Sequence, residues 1–127
     1  MIRYLVLLCL MCFSNICTAG GWDTWDDKTK AMFVASNVAI VADWGTTRDI
    51  AKRPNEFKEV GPIARATIGE HPTTQGVDLY MIIRLAANYL IATNIDEEYR
   101  FMYLTVTTVE HGLAAYSNMR IGLRINF

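Results

Sequence analysis

Three stretches of this 127-residue chain are nearly free of charge, and each contains a single charged side chain. They are residues 31–45 with Asp43, residues 79–95 with Arg84, and residues 101–116 with Glu110. An isolated charge is costly to bury unless it finds a partner. We therefore expect three helices whose polar groups meet inside a bundle, with Arg84 paired to Asp43 or to Glu110.

The spacing of the polar residues supports this expectation, because residues three or four apart share one face of a helix. Ser36, Asp43 and Thr47 share a face of the first stretch, and Arg84 and Asn88 share one of the second. One face of the third stretch carries, in order, Tyr103, Thr107, Glu110, Ala114 and Ser117. The predicted structural polar network consists of Ser36, Asp43, Thr47, Arg84, Asn88, Thr107 and Glu110.

Residues 1–19 have the composition of a secretory signal peptide. Arg3 is their only charge, residues 4–13 are an unbroken apolar run, and small residues precede a cleavage point after Ala19. The sequence thus predicts an exported protein of the inner membrane or periplasm, with one helical domain at residues 20–127. The leader is either cleaved or retained as a signal helix. All three cysteines lie in it, so a cleaved chain has no disulfide.

Helix-breaking and helix-starting residues divide the domain. Helices are predicted over residues 28–52, 77–93 and 96–118. All three prolines fall in residues 54–76, which predict a structured loop with a short helical turn at residues 63–68. Alternating apolar residues in 120–127 favour a short strand or extended tail. The predicted fold class is all-α: a small bundle of three mature helices plus an N-terminal signal helix, with a short extended C-terminal tail.

The charge balance argues against a nucleic-acid partner. The chain has 12 Lys and Arg against 13 Asp and Glu, and its basic residues are not clustered. Nucleic-acid-binding proteins usually carry a basic patch. The expected partner is membrane lipid or another envelope protein, and the sequence sets no oligomeric state.

Motifs for metal or nucleophilic catalysis are not found in residues 20–127. They contain neither H-E-x-x-H nor C-x-x-C nor G-x-S-x-G, and the one C-x-x-C spacing, Cys9 and Cys12, lies in the leader. We therefore expect no metal and no cofactor, although a site built from Asp43, His71 and Glu110 is conceivable. If the chain is an enzyme, the candidate catalytic residues are Asp43, Arg84, Glu110 and His71.

The three charge-poor stretches also bear on whether the protein is embedded in a membrane. A spanning helix needs about 20 predominantly apolar residues, and the uninterrupted apolar runs here are shorter. Ionisable residues in strongly apolar helices tend to face inward, and if the single charges do so, residues 31–45, 79–95 and 101–116 reach spanning length. The main hypothesis is a small exported cell-envelope protein, membrane-embedded or membrane-associated, that acts through protein or lipid contacts. The alternative is a membrane-embedded enzyme with a polar site between the helices.

Several short motifs follow one another between residues 42 and 127. They are Asp43-x-x-Thr46-Thr47-Arg48, Glu59-x-Gly61-Pro62, Gly69-Glu70-His71-Pro72, Val77-Asp78-Leu79-Tyr80 and the segment 110–118 that ends the third helix. This combination resembles small, uncharacterised exported or membrane proteins of bacteria and their phages. The resemblance implies no activity, and it supports as one set Asp43, Thr47, Glu59, His71 and Glu110.

Overall fold

The computed structural model describes residues 21–127, and the regular secondary structure in this range is helical. A 3-10 turn at Trp22–Thr24 is followed by four helices: α1 (Asp27–Lys52), α2 (Pro62–Ile68), α3 (Thr74–Asn94) and α4 (Glu97–Arg120). The predicted helical bundle is confirmed for this range. The predicted signal peptide and signal helix lie outside the described residues.

Local capping chemistry sets the helix bounds. Asp26 accepts a hydrogen bond from the Thr29 backbone N–H (2.7 Å) and begins α1, as Asp and Asn side chains do at helix starts. Thr73 caps α3 in the same way, through the Gly76 N–H at 3.1 Å. This cap explains why α3 begins three residues before the predicted start at residue 77. The predicted short helical turn is α2, which has Pro62 in its first turn.

Helix α1 is central, because it packs along both α4 and α3, while α2 contacts α3. Two small apolar clusters hold the long helices together. One contains Trp25, Ala92 and Leu104, and the other contains Ile40, Val77 and Met81. Buried polar residues occupy much of the remaining interior, including Ser36, Asp43, Thr46, Thr47, Asp49, Asn88, Thr107 and His111.

The C-terminal tail, residues 121–127, folds back along α1. The Asn126 N–H donates to the Gly45 carbonyl (3.2 Å), and the Arg124 N–H donates to Asp49 Oδ2 (2.9 Å). The Phe127 ring packs edge-on against Trp44, with 5.6 Å between centroids. Residues 121–127 form no strand and lie along α1 without regular secondary structure after a turn at residues 121–122.

Asp49 is the polar anchor of this tail. Its burial favours the neutral form, but hydrogen bonds from Arg53, the Arg124 N–H and Asn126 outweigh that effect and hold the pKa of Asp49 below its usual value. The ionised carboxylate therefore ties the C-terminus to α1.

Exposed apolar side chains follow the outer faces of the three long helices. They include Val34, Val38 and Val41 on α1, Leu79, Ile82 and Ile83 on α3, and Met102, Val106, Val109, Leu113 and Tyr116 on α4. Between residues 21 and 127, no helix combines the length and apolar character required to cross a membrane.

Candidate functional site

A buried Asp–His pair lies between α1 and α4. His111 Nδ1 is 2.7 Å from Asp43 Oδ2, and both residues are buried. The other ring nitrogen, Nε2, is 2.9 Å from Arg84 Nη2. A guanidinium can only donate, so Nε2 accepts from Arg84 and the proton lies on Nδ1, where it is donated to Asp43. This assignment comes from the hydrogen-bond pattern.

Arg84 joins this pair to a second carboxylate. Its Nη2 lies 3.2 Å from both oxygens of Glu110, and the two side chains are only partly shielded from solvent. Of the two predicted partners for Arg84, Glu110 is the one that forms an ion pair with it. Asp43 is paired instead with His111, because the ring lies between the carboxylate and the guanidinium.

Two further groups complete the surroundings of Asp43. Thr47, one turn later in α1, donates to Asp43 Oδ1 at 3.2 Å. Glu59, on the segment between α1 and α2, is only 7% exposed, and its Oε1 accepts from the Gly61 N–H at 2.7 Å. Burial, together with the nearby charge of Asp43, raises the pKa of Glu59 despite the backbone hydrogen bonds that lower it.

These groups line a cavity of about 320 Å³ between α1, α3, α4 and the segment that leads into α2. Its polar lining comprises Asp43, Thr47, Glu59, Tyr80, Glu110, His111, Ser117 and Asn118. The remaining wall is formed by Val60, Gly61, Pro62, Ile63, Ala64, Met81 and Ala114. A mostly apolar cavity with a few convergent polar groups is the usual form of a small-molecule site.

Two of the other predicted network residues, Ser36 and Asn88, form a separate buried polar contact. Asn88 Nδ2 donates to Ser36 Oγ at 2.9 Å, and Ser36 in turn donates to the Phe33 carbonyl at 2.8 Å. Asn88 Oδ1 is buried without a hydrogen-bond partner in the described part of the chain. Thr107 is buried on the inner face of α4. None of these three residues lines the cavity.

His71 is not brought to the site. It lies exposed on the loop before α3 and is not part of the cavity lining. The neighbouring Glu70 side chain is held by Lys58 and Arg65, each at 2.9 Å, on the surface. A metal site of Asp43, His71 and Glu110 is therefore not assembled. Across residues 21–127, no group of three or more His, Asp or Glu side chains is arranged to hold a metal ion.

His111 is the functional candidate that sequence reasoning missed. The predicted inner face of α4 runs through Glu110, whereas the buried face runs through His111, and Thr107 belongs to both. The buried positions of α4 are Arg100, Leu104, Thr107, His111 and Ala115. Adjacent residues on a helix point about 100° apart, so Glu110 lies at the edge of the cavity and His111 lies inside. Spacing does not separate this buried face from the face through Glu110, because both repeat every three or four residues.

The segment containing Glu59 could not be placed from spacing alone, since it belongs to no long helix. Its backbone is fixed by the Glu59 N–H, which donates to the Glu70 carbonyl at 2.8 Å. In the sequence, only the resemblance described above grouped Glu59 with Asp43. No protein-family model, no curated protein and no solved structure matches this chain, so its function is inferred from the geometry of the site and of the outer surface.

Proposed function

We propose that this chain is a small, exported cell-envelope protein that associates with the membrane and acts through contacts with lipid or another envelope protein. The observation that carries the proposal is an inverted distribution of side chains. Val38 and Leu79, on the long helices α1 and α3, are each 63% exposed, whereas Asp43 and Asn88 on the same helices are buried. Water disfavours such an exposed apolar surface, whereas lipid or an apolar partner surface favours it.

The positions of the charged residues support the same proposal. Between Lys30 and Arg48, the one acidic or basic residue of α1 is Asp43, which is buried. Between Arg100 and Arg120, the one Asp, Glu, Lys or Arg of α4 is Glu110, which is paired to Arg84. The exposed charges lie mainly near helix ends and in loops, as at Lys28, Lys52, Glu56, Lys58, Glu97 and Glu98. Exposed apolar side chains therefore lie along the middle of the three long helices, interrupted by Glu110, which is itself exposed. Large contiguous apolar patches mark membrane or protein contact sites.

Fractionation of cells that express the full chain tests this proposal. We expect the protein to stay with the membrane pellet after extraction at alkaline pH with carbonate, which removes proteins held only by charge. Intact mass should be measured on the same sample, because it reveals whether residues 1–19 are still attached. Complete release of a chain that begins at residue 20 would overturn the proposal.

A second candidate is the alternative of a polar enzyme site between the helices, favoured by the Asp43–His111 pair in the cavity wall. An aspartate that accepts from Nδ1–H orients the imidazole and leaves Nε2 as a general base. Here Nε2 accepts from Arg84. Base catalysis therefore requires Arg84 to keep its contact with Glu110 and to release the ring.

Hydrolysis of short nitrophenyl esters is a practical test of this second candidate. Water would add to the ester carbonyl, Nε2 would take its proton, and nitrophenolate would leave. We expect turnover in nonionic detergent that survives His71→Ala and is lost in His111→Gln. Equal turnover by the two variants, or none above the detergent blank with the unmodified chain, would remove this candidate.

A further inference from the structure

Glu59 is a buried acid without a basic partner. The other two carboxyl groups that line the cavity each have one: Asp43 has His111 at 2.7 Å, and Glu110 has Arg84 at 3.2 Å. Glu59 forms no ion pair with any residue between 21 and 127, and its hydrogen bonds come from the backbone. Buried carboxylates are ordinarily paired, coordinated to a cation, or kept neutral.

The charges around the cavity are correspondingly unbalanced. Three carboxyl groups face it from α1, α4 and the segment before α2, whereas neither lysine nor arginine is part of its lining. Arg84 is the nearby cation, and its Nη2 is already shared between Glu110 and His111. Because His111 is neutral in this arrangement, Arg84 is the single positive charge beside Asp43 and Glu110, and ionisation of Glu59 adds a further unbalanced negative charge.

The rest of the wall is suited to an apolar group. Ile63, Pro62, Met81 and Ala114 contribute aliphatic surface beside the carboxyl groups, and the volume of about 320 Å³ lies at the lower end of the range for ligand sites. Tyr80 adds an aromatic ring whose burial raises the pKa of the phenol, so the ring is neutral. Neutral aromatic faces attract ammonium groups.

We propose that this cavity binds a small organic monocation, a primary ammonium on a short apolar body, whose charge pairs with Glu59 while its body contacts Met81 and Ile63. The inference goes beyond membrane association and rests only on the cavity, so it can be tested in detergent. The competing state is an unliganded cavity in which Glu59 remains protonated.

Calorimetric titration of the full chain in nonionic detergent distinguishes these states. The probes are hexylammonium and 1-hexanol, which have the same apolar chain and differ in charge. We expect hexylammonium to bind about tenfold more tightly or better at mildly alkaline pH, as for a buried hydrogen bond to a charged group. Equal affinity of the two probes for the unmodified chain would overturn the proposal without any variant.

Substitution of Glu59 identifies the partner of the ammonium. Glu59→Gln should lower the affinity for hexylammonium to that for 1-hexanol. The heat that remains with this variant also reports how far the two probes partition into detergent micelles. Glu98→Gln is the matched control, because Glu98 is exposed in the first turn of α4, outside the cavity lining. Retained selectivity in Glu59→Gln, with circular dichroism verifying the fold, would contradict the assignment.

The pH dependence of the affinity for hexylammonium provides an independent test. The titratable groups that line the cavity with Glu59 are Asp43 from α1, Tyr80 from α3, and Glu110 and His111 from α4, and Arg84 lies behind them in contact with Glu110 and His111. Acidification protonates Glu59, so hexylammonium affinity should fall as the pH drops through its pKa, and binding there should release a proton. Affinity that is independent of pH across this range would contradict the proposal. Membrane fractionation is unaffected by either result.

Discussion

At the scale of single residues, polar pairing takes the place of aliphatic packing in the centre of this bundle. Asp43, His111, Arg84 and Glu110 form a continuous chain of contacts from 2.7 to 3.2 Å. Breaking a buried pair costs more than the pair contributes, since the remaining partner keeps its desolvation penalty. Removal of any one of these four residues should therefore destabilise the fold, because it leaves a neighbouring polar group without its partner.

Removal of His111 tests this dependence. His111→Ala leaves Asp43 buried without its 2.7 Å donor and leaves Arg84 with Glu110 alone. We expect a loss of about 3 kcal/mol in the free energy of unfolding, measured by chemical denaturation in nonionic detergent. The control is His71→Ala, which removes an exposed histidine and should change stability by less than about 0.5 kcal/mol. Similar effects of the two substitutions would contradict the assigned pairing.

Glu59 makes stability depend on pH in a defined direction. Burial raises its pKa in the folded chain, so the folded state holds the proton more tightly than the unfolded state does. Stability from this group is present at low pH and is lost as the pH rises from the unfolded pKa, about 4.3, through the folded pKa. We therefore expect Glu59→Gln to gain stability relative to the unmodified chain over this interval.

Paired denaturation curves of these two proteins at a series of pH values measure the difference, and other titrating groups largely cancel in it. A difference that stays constant, or that shrinks as the pH rises, would show that Glu59 is not held in a raised-pKa environment.

At the scale of elements, the sequence predicted the bounds of the helices more accurately than it predicted which face of each helix is buried. Proline positions and capping residues are local, so α1 ends at Lys52 as predicted, just before Pro54. The inner face of α4 depends on its packing against α1, and polarity alone favoured the stripe through Glu110 over the buried stripe through His111. Both stripes are spaced at three and four residues, so periodicity does not separate them.

The C-terminal tail depends on a close approach to α1 at Gly45. A Cβ atom there would lie 2.6 Å from Ile125 Cγ2 and 3.2 Å from the Ile125 Cα. Gly45→Ala should therefore displace the tail and destabilise the protein by about 1–3 kcal/mol, despite the helix propensity of alanine, worth about 1 kcal/mol. Thermal or chemical denaturation measures the change.

Gly112→Ala is the matched control, because Gly112 also lies inside a helix and a Cβ atom there would have no neighbour within 4 Å. It should be neutral or stabilising by up to about 1 kcal/mol. If Gly45→Ala behaved like Gly112→Ala, the tail would not be packed on α1.

At the scale of the whole molecule, isolated charges in apolar stretches predicted an interior of polar contacts. Asp43 and Glu110 do line one cavity, and Arg84, outside that lining, binds Glu110. The cavity itself could not be predicted, because its wall includes residues 59–64. Their position is set by a backbone hydrogen bond to Glu70 and by no periodic pattern. The outer surface follows from the same inversion: when polar groups occupy the inside of a small bundle, aliphatic side chains remain outside.

The depth of spin labels in proteoliposomes tests this inverted arrangement most directly. Nitroxides at Val38, Leu79 and Val106 sample α1, α3 and α4, and Gln75, an exposed polar residue one turn before Leu79, is the control. The labels require a chain in which the leader cysteines, Cys9, Cys12 and Cys17, are replaced by serine. We expect the three helix labels to be accessible to oxygen and shielded from a water-soluble nickel chelate, with the label at Gln75 open to the chelate. Equal access of the chelate to all four positions would contradict a lipid-facing outer surface.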